Sequence, residues 1–279
     1  MLSRKLLEKR SRSLRDALRK DLNSDELNIL PRSFDIVGDI AILKIPEELY
    51  EKRRLIGKRF IETFKNIRVV ALKRGNVSGE FRKQPIEVIA GEDRTETVHR
   101  EYGCFYKLDI KCVYFSPRLG TERMRVASQV KDRERVLVMF SGVGPYAILI
   151  SKRSNAEVYA IELNPDAFRY MKENIRLNKV GVIPILGDVR KEVKKLGKFD
   201  RIVMPLPKDA GNFLDVALPA VGKNGIIHFY DFSHNEDESI EKVKRICDNL
   251  GYKIEILNAV KCGSYSPGIF RICVEFMRI

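Results

Sequence analysis

The second half of the chain alternates short apolar runs with stretches of helical periodicity. Such alternation is typical of parallel strands joined by crossover helices. Strands are predicted at 136–140, 158–161, 182–186, 201–204 and 225–232, and helices at 145–153, 165–178, 209–220 and 236–250. Two closing apolar runs, at 253–260 and 269–276, are joined by 263–268 and predict an antiparallel pair at the sheet edge. Residues 131–279 should therefore form an α/β fold, a doubly wound sheet with an antiparallel edge.

The first half follows a different pattern. Apolar side chains recur at helical spacing over residues 1–22, with basic side chains on the other faces, which predicts a basic amphipathic helix. Few helices interrupt the remaining apolar runs, so residues 1–130 should form a smaller α+β domain with a mixed or antiparallel sheet. The polar stretch 129–135 places the boundary near residue 130. A largely apolar run with Gly38 inside it lies at 36–45, a second helix is predicted at 46–64, and strands are predicted at 69–72, 87–90, 95–100 and 104–110.

The charge balance is strongly basic. The 279 residues include 52 Lys and Arg against 38 Asp and Glu, a net charge of +14. This excess favours a polyanionic partner, either a nucleic acid or an anionic membrane surface, and the alternative is the solvated charged surface of a thermophilic protein. The helix predicted over 1–22 fits either direct RNA contact or docking on the core with a solvated basic face.

The cysteines and histidines do not form a ligand pattern. The five cysteines are odd in number and include no C-x-x-C pair, and the three histidines lack ligand spacing. We therefore expect neither disulfides nor a metal. No run of about 18 apolar residues occurs, and the N-terminus is too charged for a signal peptide. We expect a soluble, cytoplasmic protein that does not span a membrane.

The most informative motif follows the first strand of the second half. In FSGVGPYA, 140–147, Gly142 and Gly144 lie between an apolar run and a helix that begins at Pro145. Glycines at such a turn let the backbone approach a ligand, and the helix start offers free N–H groups. Glu162 ends the next apolar run and can accept hydrogen bonds from both hydroxyls of a ribose. This pattern predicts a nucleoside-cofactor site, with a ligand-free tight turn as the alternative.

The glycine spacing does not match a dinucleotide site. Ala147 occupies the position of the third glycine of that fingerprint, and the pattern resembles the first motif of class I S-adenosylmethionine methyltransferases more closely. Asp188 follows the third predicted strand, about 26 residues after Glu162. An acid at each of these two strand ends makes the motif more specific than the glycines alone.

Several segments resemble the archaeal and eukaryotic tRNA (guanine-37-N1)-methyltransferases. They are FDIVGDIAILKIPEEL at 34–49, GEDRTETVHRE at 91–101, VYFSPRLGTERMRV at 113–126, FSGVGP at 140–145, LNPDAF and ENIRLNKV within 163–180, GDVR at 187–190 and SYSP at 264–267. The resemblance implies S-adenosylmethionine as cofactor, the anticodon stem-loop of tRNA as partner, and methyl transfer to N1 of guanosine 37. Sister enzymes of the wybutosine pathway transfer an aminocarboxypropyl group to the same nucleoside, and bifunctional relatives methylate a wyosine precursor.

The resemblance also implies roles at the reacting base. Glu122 would be the base that takes the N1 proton, and Arg82 the donor to guanine O6. Tyr114 would lie beside the reacting base, while Arg118 and Arg123 would line the cofactor and catalytic pocket, facing the methionine carboxylate or an RNA phosphate. From the residues alone, a salt-bridging helix residue between Arg118 and Arg123 is the alternative for Glu122. Aromatic core packing is the alternative for Tyr114.

For the cofactor, the resemblance implies that Glu162 holds the ribose, Leu163 contacts the adenine and Asp188 reaches the adenine amino group. Pro205 and Pro207 are implied at the substrate side of the pocket. The other implied cofactor contacts are Phe140, Gly142, Gly144 and Val189.

The chain departs from the family pattern at two positions. Val138 replaces an Asp that the family usually has on the first strand, and Pro205 replaces the Asn that usually opens its Asn-Leu-Pro motif. Pro205 supplies neither a side-chain amide nor a backbone N–H, although the turn that follows it could still shape the pocket. A changed substrate, slower methylation and a tRNA-binding paralogue without turnover all stay open. The chain also begins at the family's second domain, so we expect a smaller RNA footprint. We also expect a monomer.

Overall fold

The computed structural model describes residues 13–31, 33–75 and 85–279, which fall into two compact units. The first unit ends at Val98 and also takes in Asp109–Lys111. The second comprises His99–Leu108 and Cys112–Ile279. Within the described part of the chain, no helix is both long enough and apolar enough to cross a bilayer.

The first unit packs short helices on a four-stranded sheet. The strands are β1 (Asp35–Val37), β2 (Ile40–Leu43), β3 (Val69–Lys73) and β4 (Ile86–Gly91), and the helices are α1 (Leu14–Leu18), α2 (Ser24–Ile29) and α3 (Arg53–Thr63). The sheet order is β1-β2-β3-β4, and only the β2–β3 pair is parallel, so the sheet is mixed. Ile56 and Phe60 on α3 are buried in the core of this unit.

Two predicted helices of the first unit differ from the observed ones. Residues 1–12 of the predicted N-terminal helix lie outside the described residues, and α1 ends at Leu18, before the predicted end at residue 22. The buried side chains of Leu14 and Leu18 place α1 on the core. The helix predicted from residue 46 starts as a 3₁₀ turn at Glu47–Lys52, and α-helix begins only at Arg53.

The second unit has a seven-stranded sheet that confirms the predicted fold class. Its order is β12-β13-β11-β10-β7-β8-β9, with β7 to β11 parallel and β13 antiparallel to both of its neighbours. The strands are β7 (Arg135–Val138), β8 (Glu157–Glu162), β9 (Val182–Leu186), β10 (Phe199–Met204), β11 (Val221–Ser233), β12 (Ile254–Ser266) and β13 (Ile269–Arg278). The helices are α5 (Pro145–Arg153), α6 (Pro165–Asn178), α7 (Val189–Glu192), α8 (Leu214–Ala220) and α9 (Glu236–Asn249).

The strand order determines where a ligand can bind. Chain order reverses between β7 and β10, which are adjacent in the sheet although β8 and β9 lie between them in the sequence. Open α/β sheets bind ligands at the carboxyl ends of the strands beside such a reversal. The glycine turn follows β7, Glu162 ends β8 and Pro205 follows β10, so all three come to this edge.

The second unit begins earlier than the boundary predicted near residue 130. It includes most of the hairpin formed by β5 (Glu96–Glu101) and β6 (Cys104–Asp109), and all of the helix α4 (Gly120–Ala127), which packs against α5. The polar stretch 129–135 is a turn within this unit. The polar residues of this stretch are exposed to solvent, and they do not mark a domain boundary.

Two asparagines of α6 explain why the hairpin belongs to this unit. Asn178 accepts from Phe105 N at 2.8 Å and donates to Phe105 O at 2.7 Å. Asn174 does the same with Lys107, at 2.7 and 3.0 Å. Each side-chain amide therefore pairs with β6 in the way that a neighbouring strand would.

We expect Asn178→Ala to lower the free energy of unfolding of the second unit by about 1–3 kcal/mol, because it removes both hydrogen bonds that its buried amide makes to the backbone of Phe105 on β6. Urea titration followed by circular dichroism measures the change. Asn155→Ala, at an exposed position, is the control and should stay within about 0.5 kcal/mol of the wild type. Equal stability of the two variants would show that these amide pairs do not hold the hairpin.

Candidate functional site

The turn after β7 has an unusual backbone. Phe140, Gly142 and Gly144 have φ of 55°, 57° and 88°, so three residues in five are left-handed. A Cβ at Gly144 would lie 3.0 Å from side-chain atoms of Ile148 and Met171, which leaves no room for a larger residue. Phe140 is not a glycine, and its ring packs edge-to-face on Phe213 at 4.8 Å between centroids. Left-handed non-glycine residues cluster at ligand sites, which agrees with the predicted role of this turn.

Glu162 holds the glycine turn from the end of β8. Its Oε2 accepts from Gly142 N at 2.6 Å, and its Oε1 accepts from Asn164 N at 2.8 Å. Burial raises the pKa of Glu162 above its ordinary value, although these backbone N–H groups oppose the shift. The backbone N–H of Leu163 also lowers the pKa of the carboxylate, and the acceptor capacity that remains is what a ligand hydroxyl group can use.

Asn164 is a residue of this site that the sequence analysis missed. Its Oδ1 accepts from Asp166 N at 2.9 Å and caps α6. Its Nδ2 donates to Cys112 O at 3.2 Å. The side chain therefore joins α6 to the segment that leads into Tyr114. An Asn before a Pro at a helix start was the available signal, although it predicts only the cap.

The structure brings the other predicted cofactor residues to neighbouring strand ends. Leu163 follows Glu162 and is 40% exposed, although it is apolar. Asp188 is half-buried and caps α7, where its Oδ1 accepts from Arg190 N at 2.8 Å. Val189 is buried in the core below. Gly187 N donates to Glu162 O at 3.0 Å and ties the ends of β8 and β9 together.

The two departures from the family pattern lie at the adjacent strand ends. Val138 is fully buried on β7. Pro205 is half-buried and centres a three-residue turn after β10, in which Leu206 N donates to Met204 O at 2.7 Å. Pro207 is buried. The turn shapes this edge through its backbone, because Pro205 has no N–H to offer.

Glu122 lies on α4 and is only 5% exposed. Arg125 donates to both of its oxygens, from Nε to Oε2 at 2.7 Å and from Nη2 to Oε1 at 2.8 Å. The Tyr230 hydroxyl donates to Oε1 at 2.5 Å. The ion-pair partner is therefore Arg125, and not Arg118 or Arg123 as considered from the sequence.

Arg125 continues into a longer buried network. It also donates to Glu275, which accepts from Gln129 Nε2 at 3.0 Å. Burial disfavours the charge on Glu275, but hydrogen bonds from His228 and Arg125 outweigh it and lower its pKa to about 2. The two carboxylates, Glu122 and Glu275, thus share one arginine, which fixes its position from both sides.

His228 connects this network to the far side of β10. Its Nε2 lies 2.8 Å from Arg201 Nη1, and its Nδ1 lies 3.2 Å from Glu275 Oε1. A guanidinium can only donate, so Nε2 must accept and the proton must lie on Nδ1. Burial lowers the pKa of His228, which keeps this neutral form. Arg201 is paired with Glu134 through Nε at 2.8 Å.

One sulfur atom also lies near the network. His228, Cys273 and Glu275 each place a potential ligand atom within 4.8 Å of the other two. Nε2 of His228 already accepts from Arg201, and the cations of Arg125 and Arg201 adjoin the group, which would repel a metal ion. The arrangement therefore fits a hydrogen-bonded cluster better than a metal centre.

Two tyrosines connect Glu122 to the cofactor turn. Tyr146 Oη donates to Tyr230 Oη at 3.0 Å, and Tyr230 in turn donates to Glu122. Burial raises the pKa of both phenols, so they stay protonated and act as donors. Tyr146 is the second residue of α5, directly after the glycine turn. Neither tyrosine nor Arg125 was predicted as a site residue.

Arg123 does not have the role implied by the resemblance. Its Nε and Nη2 donate to Glu101 at 2.8 and 2.5 Å, and its Nη2 also donates to Ser116 O at 3.1 Å. The guanidinium is buried in this structural ion pair and is not available to a ligand carboxylate or phosphate. Arg118, by contrast, lies on the surface of the second unit.

Tyr114 lies on the surface of the second unit. Its side chain is 42% exposed, which excludes full core packing. A Cβ at Gly142 would lie 3.9 Å from the Tyr114 carbonyl oxygen, so the two motifs meet at this point. Arg82, the implied donor to O6, lies outside the described residues.

Comparisons with known proteins agree with this geometry. Residues 97–255 match the TRM5/TYW2 methyltransferase domain, and residues 14–95 match the TYW2 N-terminal domain. The tRNA (guanine(37)-N(1))-methyltransferase Trm5b of Pyrococcus abyssi is 44% identical over 252 residues, which cover 88% of this chain and 75% of that protein. The tRNA 4-demethylwyosine(37)-methyltransferase Taw21 of Saccharolobus solfataricus is 42% identical over 213 residues, or 74% of this chain and 79% of that one.

A solved structure is similar over the whole length. The structure of aTrm5 in complex with tRNALeu has a TM-score of 0.86 and 36% identity, and the match covers 99% of this chain and 82% of that chain. The family match extends over more than half of the chain and includes the glycine turn, Glu162 and α4. The chain therefore belongs to the TRM5/TYW2 family of methyltransferases.

Proposed function

We propose that this protein transfers a methyl group from S-adenosylmethionine to N1 of guanosine 37 in the anticodon loop of tRNA. The main support for this proposal is that two motifs of the second unit lie in contact with each other. The carbonyl of Tyr114, in the segment that also carries Glu122, lies against Gly142 of the glycine turn. The similarity to Trm5b supports guanosine 37 as the target.

The residues around the turn fit an adenosyl group. Glu162 keeps acceptor capacity beyond its bonds to the backbone, which suits the hydroxyls of a ribose. Leu163 offers exposed apolar surface to the adenine, and the second oxygen of Asp188 can accept from the adenine amino group. Gly142 has no side chain that would fill this space. When bound, the cofactor supplies a methyl carbon activated by a sulfonium.

Guanine N1 carries a proton and no lone pair suited to attack, so methylation requires a base. We assign this role to Glu122. Tyr230 and Arg125 use both lone pairs of Oε1, and Arg125 uses one of Oε2. The remaining lone pair of Oε2 is the one that can accept the N1 proton. Negative charge then develops on O6, and Arg82 remains the proposed donor there.

The role of the first unit is also a proposal. We infer that it helps to bind the anticodon stem-loop, because the chain as a whole carries a net charge of +14, and such an excess of basic side chains favours phosphate contacts that are independent of sequence. Binding of this kind weakens as salt concentration rises. A monomeric state and a cytoplasmic location stay predictions, which sedimentation and cell fractionation would test.

The direct test uses the purified full chain, S-adenosylmethionine with a labelled methyl group, and an unmodified tRNA transcript. Mass spectrometry of the digested product should identify N1-methylguanosine at position 37. A transcript with adenosine at that position is the control and should stay unlabelled. Failure to label position 37, under conditions in which a known family member succeeds, would refute the proposed function.

Glu122→Gln should lower the single-turnover rate of methylation about 10²- to 10⁴-fold, the usual contribution of a general base. The size of the side chain is retained and its charge is lost. Glu241→Gln, at an exposed position of α9, is the control and should keep the wild-type rate. A Glu122→Gln rate within about threefold of the wild type would exclude this carboxylate as the base.

Arg125 positions Glu122, so Arg125→Lys should lower kcat by about tenfold or more while KM for the cofactor changes little. Lysine keeps the cation but cannot make two parallel hydrogen bonds to one carboxylate. Arg245→Lys, at an exposed position of α9, is the matched control. If KM for the cofactor rose in parallel with the fall in kcat, Arg125 would have a general structural role instead.

Cofactor binding should depend on pH through Glu162. Ribose hydroxyls prefer the ionised carboxylate, so binding lowers the pKa of Glu162, and affinity falls as pH drops through its raised value in the free protein. Calorimetry with S-adenosylhomocysteine between about pH 8 and 5 measures this. Glu162→Gln should bind about tenfold or more weakly with a flat pH profile. An equally flat wild-type profile would contradict the ribose contact.

A second candidate function is methylation of a wyosine precursor at the same position. Pro205 favours it, because the Asn that the guanosine enzymes usually carry is absent and only the backbone turn remains. The similarity to Taw21 points the same way. Aminocarboxypropyl transfer is the remaining option among the family reactions.

The rate on tRNA with guanosine at position 37 should be compared with the rate on tRNA carrying 4-demethylwyosine there. The proposed function predicts faster transfer to guanosine, with N1-methylguanosine as product. Faster transfer to the tricyclic base would favour the second candidate. A product heavier by an aminocarboxypropyl group would overturn both methylation proposals.

A further inference from the structure

Three planar side chains form a column near the tip of the β12–β13 hairpin. The rings of Phe232 and Tyr265 stack with 4.0 Å between centroids and 27° between planes. The guanidinium carbon of Arg271 lies 5.4 Å from the Phe232 centroid. We call these three residues the stacking column. It belongs to the second unit, and it includes the tyrosine of the SYSP segment, which the cofactor and base assignments leave without a role.

Tyr265 is the exposed member of the column. At 64%, it has the largest exposed fraction of any large apolar or aromatic side chain in the described ranges. Packing against Phe232 covers one face of the ring, which leaves the other face toward solvent. A tyrosine that only filled a gap in the core would not be this exposed.

The strand pairing explains how the column is built. Phe232 and Arg271 are direct partners across β11 and β13. On β12 the register shifts between Ser264 and Ser266, so Tyr265 is the extra residue of a bulge. Bulges re-aim side chains and are frequent beside functional sites. Here Tyr265 has no pairing partner on β13, and its ring stacks on Phe232.

The column also adjoins the candidate active site. Arg271 Nη2 lies 3.5 Å from Tyr114 Oη, and the Tyr114 carbonyl lies against Gly142 of the glycine turn. Arg271 forms no ion pair with any carboxylate in the described part of the chain, and its buried Nε has no hydrogen-bond partner there. A positive charge without a paired carboxylate therefore adjoins both Tyr114 and the stacked rings.

We propose that Tyr265 is a stacking subsite for the unpaired base next to the target nucleotide, and that Arg271 faces the phosphate between them. This inference rests on the proposed function. Extruding the target purine removes a stacking partner from its neighbours, and an exposed aromatic face can replace that partner. Aromatic stacking accepts any base, and the nearby cation matches a phosphate, so a nucleotide fits the column better than an apolar protein surface does.

The test measures affinity for tRNA in the presence of S-adenosylhomocysteine. Tyr265→Ala should weaken binding about tenfold, whereas Tyr265→Phe should stay within about twofold, because phenylalanine keeps the ring. Tyr265→Leu keeps apolar volume without an aromatic face and should behave like Tyr265→Ala. Arg271→Gln should weaken binding and reduce its salt dependence.

A tRNA with an abasic residue at position 36, and another with one at position 38, locate the stacked base. On the correct abasic tRNA the wild type should lose about as much affinity as Tyr265→Ala loses on intact tRNA, and Tyr265→Ala should lose nothing further. Independent losses with both abasic tRNAs would overturn the inference. So would wild-type affinity for Tyr265→Ala or for Tyr265→Leu, the latter indicating a plain apolar contact.

The product assay distinguishes failure of the stacking subsite from failure of the proposed function. If position 37 is methylated by the wild type but Tyr265 and the flanking base are not coupled, the stacking subsite is refuted and the proposed function stands. If position 37 is not methylated, the proposed function fails whatever the binding data show. Methylation of 37 together with coupling to 36 or 38 supports both.

Discussion

The arrangement of the second unit depends on a carboxylate that is held where water scarcely reaches it. Removing an anion from water costs several kcal/mol unless a cation and hydrogen-bond donors accompany it. Glu122 receives two donors from Arg125 and a third from Tyr230. Arg125 is held in turn by Glu275, which accepts from Gln129 and adjoins the neutral ring of His228. Charges alternate along this network, so each member fixes the next.

The same network joins Glu122 to the two sides of the central sheet. Most of its members come from α4 and from strands β11 and β13 at the antiparallel side of the sheet, whereas the glycine turn, Glu162 and Asp188 come from the parallel side. Tyr146, at the start of α5, hydrogen-bonds to Tyr230 and joins the two sets. A base tied to the sheet on one side and to the cofactor turn on the other is pre-organised, which spares reorganisation during the reaction.

The periodic part of the fold and the cofactor motif could be predicted from the sequence. Apolar runs of strand length, a glycine pair and an acid at the next strand end are local signals, and α6 and β9 were predicted with their observed bounds. The domain boundary could not be predicted, because it depends on Asn174 and Asn178 pairing with a strand some 70 residues earlier in the chain. Nothing local to either segment indicates that contact.

The arginines of α4 show the same limit on a smaller scale. Arg123 was expected to face a ligand, but it points to Glu101, whereas Arg125, two residues later, reaches Glu122. Side chains two positions apart lie on different faces of a helix. The spacing of Glu122 and Arg125, three residues apart, allowed an intrahelical pair. Only the tertiary structure decides which arginine pairs with Glu122.

The central claim is that the Glu122 carboxylate removes the N1 proton. The most direct measurement is the single-turnover rate of the wild type and of Glu122→Gln at a series of pH values rising toward the pKa of guanine N1. Solution ionisation of N1 replaces a missing base, so the account predicts that the ratio of the two rates narrows steadily as pH rises. A ratio that stays constant across the whole range would contradict it.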